Sequence, residues 1–307
     1  MSLQDDFKAF LHDIEPSRST VDEIVSAHRA LRSYLEGHEY YSQHCRGTYL
    51  SGSYAKHTST RPVKDEDHRD VDVVGETDYT TSENSADVII ELRDVLYDSD
   101  KYKSAHLQTH SVGITLAKHD IDVVPLATEG EVRFIGDLDD ASWKETNPRG
   151  HIEWSSQTNV SHGGRYVPVV KMMKWWRREH CPDKRRWPKG ITLEKIIADC
   201  FPEDSSLYEE LMIGVMENIF DSLSEELGDG GCPSSTPLFR RTTWLRAIRR
   251  KTSGASSRAL ESRFGFSRTR APTTTPGRRC SGIAFLPEAT ARAAGLWRKP
   301  FSRSSRP

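Results

Sequence analysis

The chain has 307 residues, 36% hydrophobic and 29% charged, enough to bury a core in one large domain or two smaller ones. Its formal charge of −2 conceals a split. Of 43 Lys and Arg and 45 Asp and Glu, seventeen basic and two acidic residues fall from Arg240 on, leaving 26 and 43 before it. An acidic body argues against a broad, sequence-independent nucleic-acid surface on that part. The five cysteines, Cys45, Cys181, Cys200, Cys232 and Cys280, are scattered and odd in number, which excludes a disulfide framework or a zinc-type spacing. No run approaches the ~20 apolar residues of a membrane span, and no basic-then-apolar leader opens the chain, so the expectation is no membrane and a reducing, cytoplasmic setting.

In chain order, residues 6–14 form a short amphipathic segment. Thr20 with Glu23 three residues on reads as a capping box. Val21, Ile24, Val25, Leu31, Tyr34 and Leu35 then follow helical spacing until Gly37. His28 falls on the same stripe and is expected to be a satisfied histidine at the core edge. A strand at 48–50 delivers Gly52-Ser53, a turn whose backbone N–H groups and hydroxyl could hold phosphates. The mixed charges of Asp65, Glu66 and Asp67 read as a solvated loop. Asp70-Val71-Asp72-Val73-Val74 reads as a strand, with Asp70 and Asp72 on one face and the valines on the other. Two adjacent carboxylates repel unless a cation lies between them, and Mg²⁺ takes such oxygen ligands together with substrate phosphates.

Residues 85–97 read as a helix, and Val112, Ile114 and Leu116 alternate as a strand. Ala117-Lys118-His119 turns into a second strand where Asp120 and Asp122 repeat the acid-apolar alternation, ended by Pro125. Asp122 is expected to join the first two acids, with Asp120 an edge or supporting carboxylate. Residues 143–164, with Asn147-Pro148, read as loop-rich. Residues 166–180 return to a helix, with Lys171 expected in solvent and Trp175 and Trp176 in the core rather than stacked on bases. His180-Cys181 is a lone pair, short of the four ligands zinc needs. A basic loop (184–189), a helix from Gly190 through Phe201, and a helix over 205–227 with stripe Leu207, Leu211, Val215, Ile219 and Leu223 follow, broken by Gly228 to Gly231. From Arg240 the Ser, Arg, Thr and Pro content cannot support a core. A disordered tail, a nucleic-acid-binding tail and a frameshifted end all fit this composition, and the abrupt loss of helical pattern favours the last.

Gly52-Ser53-Tyr54-Ala55-Lys56, Asp70-Val71-Asp72, Ile121-Asp122-Val123-Val124-Pro125 and Val170-Lys171-Met172-Met173-Lys174-Trp175-Trp176 resemble the cGAS/DncV-like nucleotidyltransferases of the polymerase-β-like superfamily. The resemblance covers about three-quarters of the chain and fails in its Arg-rich end. It implies an α+β fold: a nucleotidyltransferase lobe with a mixed, mainly antiparallel sheet flanked by helices (1–150), a helical lobe (151–239) with the nucleotide cleft between them, and a tail (240–307). It also implies Mg²⁺-dependent synthesis of cyclic di- or oligonucleotides from NTPs, ATP among them, in CBASS-type antiphage signalling. Asp70, Asp72 and Asp122 would hold two Mg²⁺ (Mn²⁺ as substitute), Gly52 and Ser53 the triphosphate, and Lys174 its outer phosphates. Gly190, where relatives often carry serine, would offer a backbone N–H, with Lys189 or Thr192 compensating. The product would act on a downstream effector, and an activating partner protein could be required; a nucleic-acid partner stays open. Linear 2′-5′ synthesis, RNA- or protein-directed transfer, and an impaired nucleotide-binding remnant remain as alternatives.

Overall fold

A computed structural model describes residues 2–61, 69–116, 119–180, 188, 190–203 and 205–227. Asp65, Glu66 and Asp67, the turn residues Ala117 and Lys118, Cys181, the basic loop apart from Pro188, the Gly228 to Gly231 break and the tail from Arg240 lie outside them.

Helix α1 (Leu3–Ile14) starts on a reciprocal Ser2–Asp5 capping box, and α2 (Arg18–Gly37) starts on Ser17. The Ser17 hydroxyl accepts the Thr20 N–H at 3.3 Å, so the helix begins earlier than a cap at Thr20 allows, and Thr20 lies in its first turn. His28 is 5% exposed, and its Nδ1 finds no partner among the described residues, contrary to the satisfied role expected of it. Burial, helped by Arg32 and Arg29, holds its imidazole below the ordinary range, so the neutral ring fills the core edge against Tyr54.

After the short α3 (Tyr41–His44), β1 (Cys45–Ser51) runs into a single helical turn, α4 (Gly52–Ala55), and then β2 (Arg69–Thr77). Helix α5 (Ser85–Tyr97), at the predicted limits, is capped by Asn84 and crosses to β3 (His106–Leu107), β4 (Val112–Thr115) and β5 (His119–Glu129). The sheet order is β1-β2-β5-β4-β3, with β6 (Val132–Gly136) and β7 (Trp143–Thr146) extending from the far half of β5. All described pairings are antiparallel except β2 with β5. Pro125 does not end β5. The partner β4 stops opposite Val123 and β6 begins opposite Leu126, so the proline occupies the gap where that edge needs no N–H.

The passage expected to be loop-rich holds β7 and a helix, α6 (Pro148–Ser161). Asn147 caps it by accepting the Gly150 N–H at 2.8 Å, and Pro148 takes the first helical position, where its missing N–H costs nothing. Asn-Pro here opens a helix. The described chain continues with α7 (Tyr166–His180), α8 (Gly190–Asp199) and α9 (Tyr208–Leu227).

Two apolar clusters result. In one, Val71, Val73, Ile121 and Val123 meet Ile89, Leu92 and Leu96 of α5 and Ile24, Leu31 and Leu35 of α2. In the other, Phe7, Phe10 and Ile14 of α1 pack with Trp175, Ile197, Leu211 and Val215 of α7, α8 and α9. Leu207 precedes α9 and is 44% exposed, so it does not belong to the stripe as expected. Lys171 is not solvated either: its Nζ lies 2.6 Å from Glu15 Oε1 and ties α7 to the end of α1. No described helix is long and apolar enough to cross a membrane.

Trp175 and Trp176 are each 2% exposed in the helical cluster, which makes them core. Trp175→Ala is expected to cost about 3–5 kcal/mol, read as a fall in the urea midpoint.

Candidate active site

The site begins with strand register. In the β2–β5 pair Asp70 lies beside Asp120 and Asp72 beside Asp122. Neighbours in a parallel ladder point to the same face, so four acids share one surface while Val71, Val73, Ile121 and Val123, each 0–1% exposed, fill the other. Asp120 is therefore no edge residue: β5 is a central strand between β2 and β4. Asp70 is exposed, and Asp72 and Asp122 are half-buried.

Crowding of like charges is visible in their proton affinity. Burial, then the charges of Asp72 and Asp70, push the Asp122 carboxyl up to about 6, against an opposing hydrogen bond from Gln108. Burial and Asp70 raise Asp72 as well, while Lys56 and Lys174 pull it back. Among the described residues no three ligand-type side chains already close on one point. The donors are all oxygens, and a hard divalent cation between these strands would relieve the repulsion that lifts both carboxyls. On that ground the residues fit Mg²⁺.

Gly52 brings backbone against this acid surface. Ser51, the last residue of β1, pairs with Asp72, so the chain turns directly over that carboxylate. Gly52 has φ +62°, and a Cβ there would lie 1.6 Å from Asp72 Oδ2. Only glycine permits both the dihedral and the approach. The turn closes through Lys56 N–H to Gly52 O at 3.3 Å and Thr58 N–H to Ser53 O at 2.9 Å.

Beneath it lies a buried ion cluster. Glu194, 1% exposed on α8, receives Lys56 Nζ on Oε2 at 2.5 Å and Lys174 Nζ on Oε1 at 2.5 Å. Thr58 donates to the same Oε1 at 2.9 Å and accepts from Lys174 at 2.8 Å. Burial raises the proton affinity of Glu194, but Lys174 and Lys56 outweigh it and hold the carboxyl below its usual range. Burial pulls Lys174 down to about 8 despite the attraction of Glu194. Lys174 is thus placed under the turn, with its ammonium engaged by protein acceptors. Gly190 forms the first residue of α8, one turn before Glu194.

Sequence reasoning overlooked Glu194, Gln108 and Gly113. Glu194 had a signal: it falls three residues before Ile197 and next to Leu193, on the buried side of an amphipathic helix. Gln108 donates from Nε2 to Asp122 Oδ1 at 3.1 Å, itself held by the Ser111 hydroxyl at 2.5 Å. It reaches over Gly113, the β4 partner of Asp122, where a Cβ would lie 2.4 Å from Gln108 Nε2. No local pattern announces that contact.

Two expectations follow. Gly52→Ala should displace the Asp72 carboxylate, weakening Mn²⁺ binding in calorimetry at least about tenfold, since strain at such a position costs on the order of 1–3 kcal/mol. The raised Asp122 carboxyl sets a pH dependence. It favours the protonated form in the fold, so its ionisation removes stability as pH rises from 3.8 through about 6. In EDTA at pH 8, Asp122→Asn should therefore be more stable than wild type by about 1 kcal/mol after allowing for solvent access, the gap closing toward pH 4.

Comparison with known proteins identifies the family of the chain. Residues 1–159 match the Second Messenger Oligonucleotide or Dinucleotide Synthetase (SMODS) domain. A cyclic AMP-AMP-AMP synthase of Acinetobacter sp. is 37% identical over 226 residues, covering 72% of this chain and 65% of that protein, so the match spans less than two thirds of the relative's length. A cyclic AMP-AMP-GMP synthase of Enterobacter hormaechei is 24% identical, covering 71% of this chain and 72% of its own. Among solved structures, E. coli MS115-1 CdnC with ATP superposes with TM-score 0.59 at 19% identity, over 76% and 77% of the two chains. Bradyrhizobium diazoefficiens CdnG with GTP gives 0.61 at 14% identity, over 86% and 96%. These structures share the α+β fold of a mixed sheet with flanking helices. The chain belongs to the SMODS family of cGAS/DncV-like nucleotidyltransferases.

Proposed function

We propose that this protein is a divalent-metal-dependent nucleotidyltransferase that joins NTPs, ATP among them, into a cyclic oligonucleotide messenger. The observation that carries the reading is the in-register pairing of Asp72 with Asp122 under a turn that only glycine can make at Gly52. The names of its relatives support the cyclic product, and the 37% identical one makes an all-adenylate ring the first to look for. An E. coli relative in complex with a HORMA protein supports a protein as activating partner. The product would act on a downstream effector in CBASS-type antiphage signalling in the cytoplasm.

Asp70, Asp72 and Asp122 would hold the Mg²⁺, two ions with Mn²⁺ as substitute, whose chemistry when bound is to stabilise charge on the entering and leaving oxygens. The chain's own groups do the rest. The Gly52 and Ser53 turn orients the donor's phosphates, with the positive cluster of Lys174 and Lys56 beneath it and the Gly190 N–H at the α8 end. A sugar hydroxyl attacks the α-phosphorus, the new P–O bond forms, and the bond to pyrophosphate breaks. Asp122 would also offer a carboxylate oxygen to accept the hydroxyl proton as the new P–O bond forms. Gln108 holds the Oδ1 of that carboxylate and so fixes the direction of the other oxygen. Positioning and electrostatics supply most of the acceleration in such transfers.

Incubation of the full chain with the four NTPs and Mg²⁺, phosphatase treatment and mass spectrometry test the reading. A phosphatase-resistant cyclic product is expected. Asp72→Ala should lower its formation on the order of a thousandfold with an unchanged circular dichroism spectrum. Linear, phosphatase-sensitive products would remove the cyclisation, and no incorporation at all would remove the enzymatic reading.

A further inference from the structure

Four carboxylates on one sheet face would gather any divalent cation by charge alone, so discrimination among cations must come from how their oxygens are held. Gln108 Nε2 donates to Asp122 Oδ1 at 3.1 Å, and Gln108 Oε1 accepts from the buried Ser111 hydroxyl at 2.5 Å. A flipped amide would set its oxygen against the carboxylate, so Ser111 and Asp122 together fix one orientation. The turn from β3 to β4 that carries this amide is itself tied down. Gln108 N–H bonds Ser111 O at 2.9 Å, Leu138 N–H bonds Thr109 O at 2.8 Å, and His110 Nδ1 lies 2.8 Å from Gly136 O. His106 Nε2 lies 3.5 Å from Gln108 Nε2, on the side of the second amide proton. The missing Cβ of Gly113 lets the amide reach across β4 to β5. A rigid turn is thus built around one exposed contact, a single hydrogen bond to one oxygen of Asp122.

We propose that Gln108, locked by Ser111, is a positioning residue that caps Oδ1 of Asp122 and leaves only Oδ2 to a cation, so that the acid surface favours Mg²⁺ over the larger Ca²⁺. The inference rests on the metal-site reading above. Mg²⁺ demands near-octahedral ligation by single oxygens, whereas Ca²⁺ takes about 6–8 oxygens and accepts both oxygens of one carboxylate. Capping one oxygen therefore costs Ca²⁺ a ligand and costs Mg²⁺ none. Asp72 is restrained from the other flank, where the Gly52 backbone approaches its Oδ2. The pair is thereby held from both sides of the β2–β5 ladder, and the surface cannot spread its oxygens around a large ion.

The test is displacement of Mn²⁺ from the full-length protein by Mg²⁺ or Ca²⁺ at pH 8, above the Asp122 carboxyl near 6, read from the electron paramagnetic resonance signal of free Mn²⁺. Wild type should need less Mg²⁺ than Ca²⁺ for half displacement. Gln108→Leu and Gln108→Ala should each shift that ratio toward Ca²⁺ by about threefold or more, and Ser111→Ala should shift it in the same direction. Gln108 is only half-buried, so both of its variants should melt in EDTA within a few degrees of wild type. In an Asp122→Asn background Gln108→Leu should leave the ratio unchanged, because the amide acts through that carboxylate. A smaller shift in both Gln108 variants, a shift toward Mg²⁺, an equal shift in the Asp122→Asn background, or a wild type without Mg²⁺ preference overturns the inference and leaves the site reading standing. A wild-type protein that binds no Mn²⁺, or an Asp72→Ala variant that binds it equally well, overturns the metal-site reading and this inference with it.

Discussion

Two carboxylates side by side in a parallel ladder, Asp72 and Asp122, are the constraint around which the site is arranged. Their backbones are fixed by the β2–β5 pairing, and their valine and isoleucine neighbours are buried on the opposite face, so neither strand can slip. A one-residue shift would send the acids into the core and Val71, Val73, Ile121 and Val123 into solvent. Burying four such side chains at roughly 1.5–3 kcal/mol each outweighs the like-charge repulsion that the register imposes. The core therefore holds the acids together against their own repulsion, and that stored repulsion is what a divalent cation would relieve.

The rest of the local structure serves to let something reach those acids without burying them. Gly52 brings backbone rather than side chain against Asp72, and Gly113 leaves room on the other flank for Gln108 to reach Asp122. The two glycines, on β4 and after β1, frame the acid pair from opposite sides of the β2–β5 ladder. Each removes a Cβ where one would collide with a polar group of the site. Close approach, not flexibility, is their common reason.

Much of this was legible in the chain. The strands bearing Asp70, Asp72 and Asp122 were marked by period-two alternation, and α5 by an unbroken helical stripe, because in both a single buried face dictates residue choice. The errors came where one residue type has two meanings. Pro125 reads as a terminator, yet sits inside β5 because one edge lacks a partner there. Asn147-Pro148 reads as a loop, yet caps and opens α6. Lys171 reads as solvated, yet pairs with Glu15, 156 positions away. The parallel pairing of β2 with β5 and the packing of α1 beside α7 and α9 depend on contacts between distant segments, for which no local pattern exists.

The buried cluster shows how the sheet and the helical core share one electrostatic unit. Lys56 comes from the turn after β1, Lys174 from α7 and Glu194 from α8, so the charge balance of each depends on elements far apart in sequence. Removing Glu194 leaves two buried ammoniums uncompensated, at about 3–5 kcal/mol, whereas moving it relative to the sheet changes the field on Asp72. The position of α8 is therefore coupled to the proton affinity of Asp72 through the two lysines that Glu194 holds. Phosphate charge entering under the turn and cationic charge entering between the strands would compensate each other as well as the protein. On the proposed reading, that mutual compensation accounts for an acidic surface and a buried basic cluster lying side by side: each is poorly tolerated alone, and a metal-bound polyphosphate would answer both.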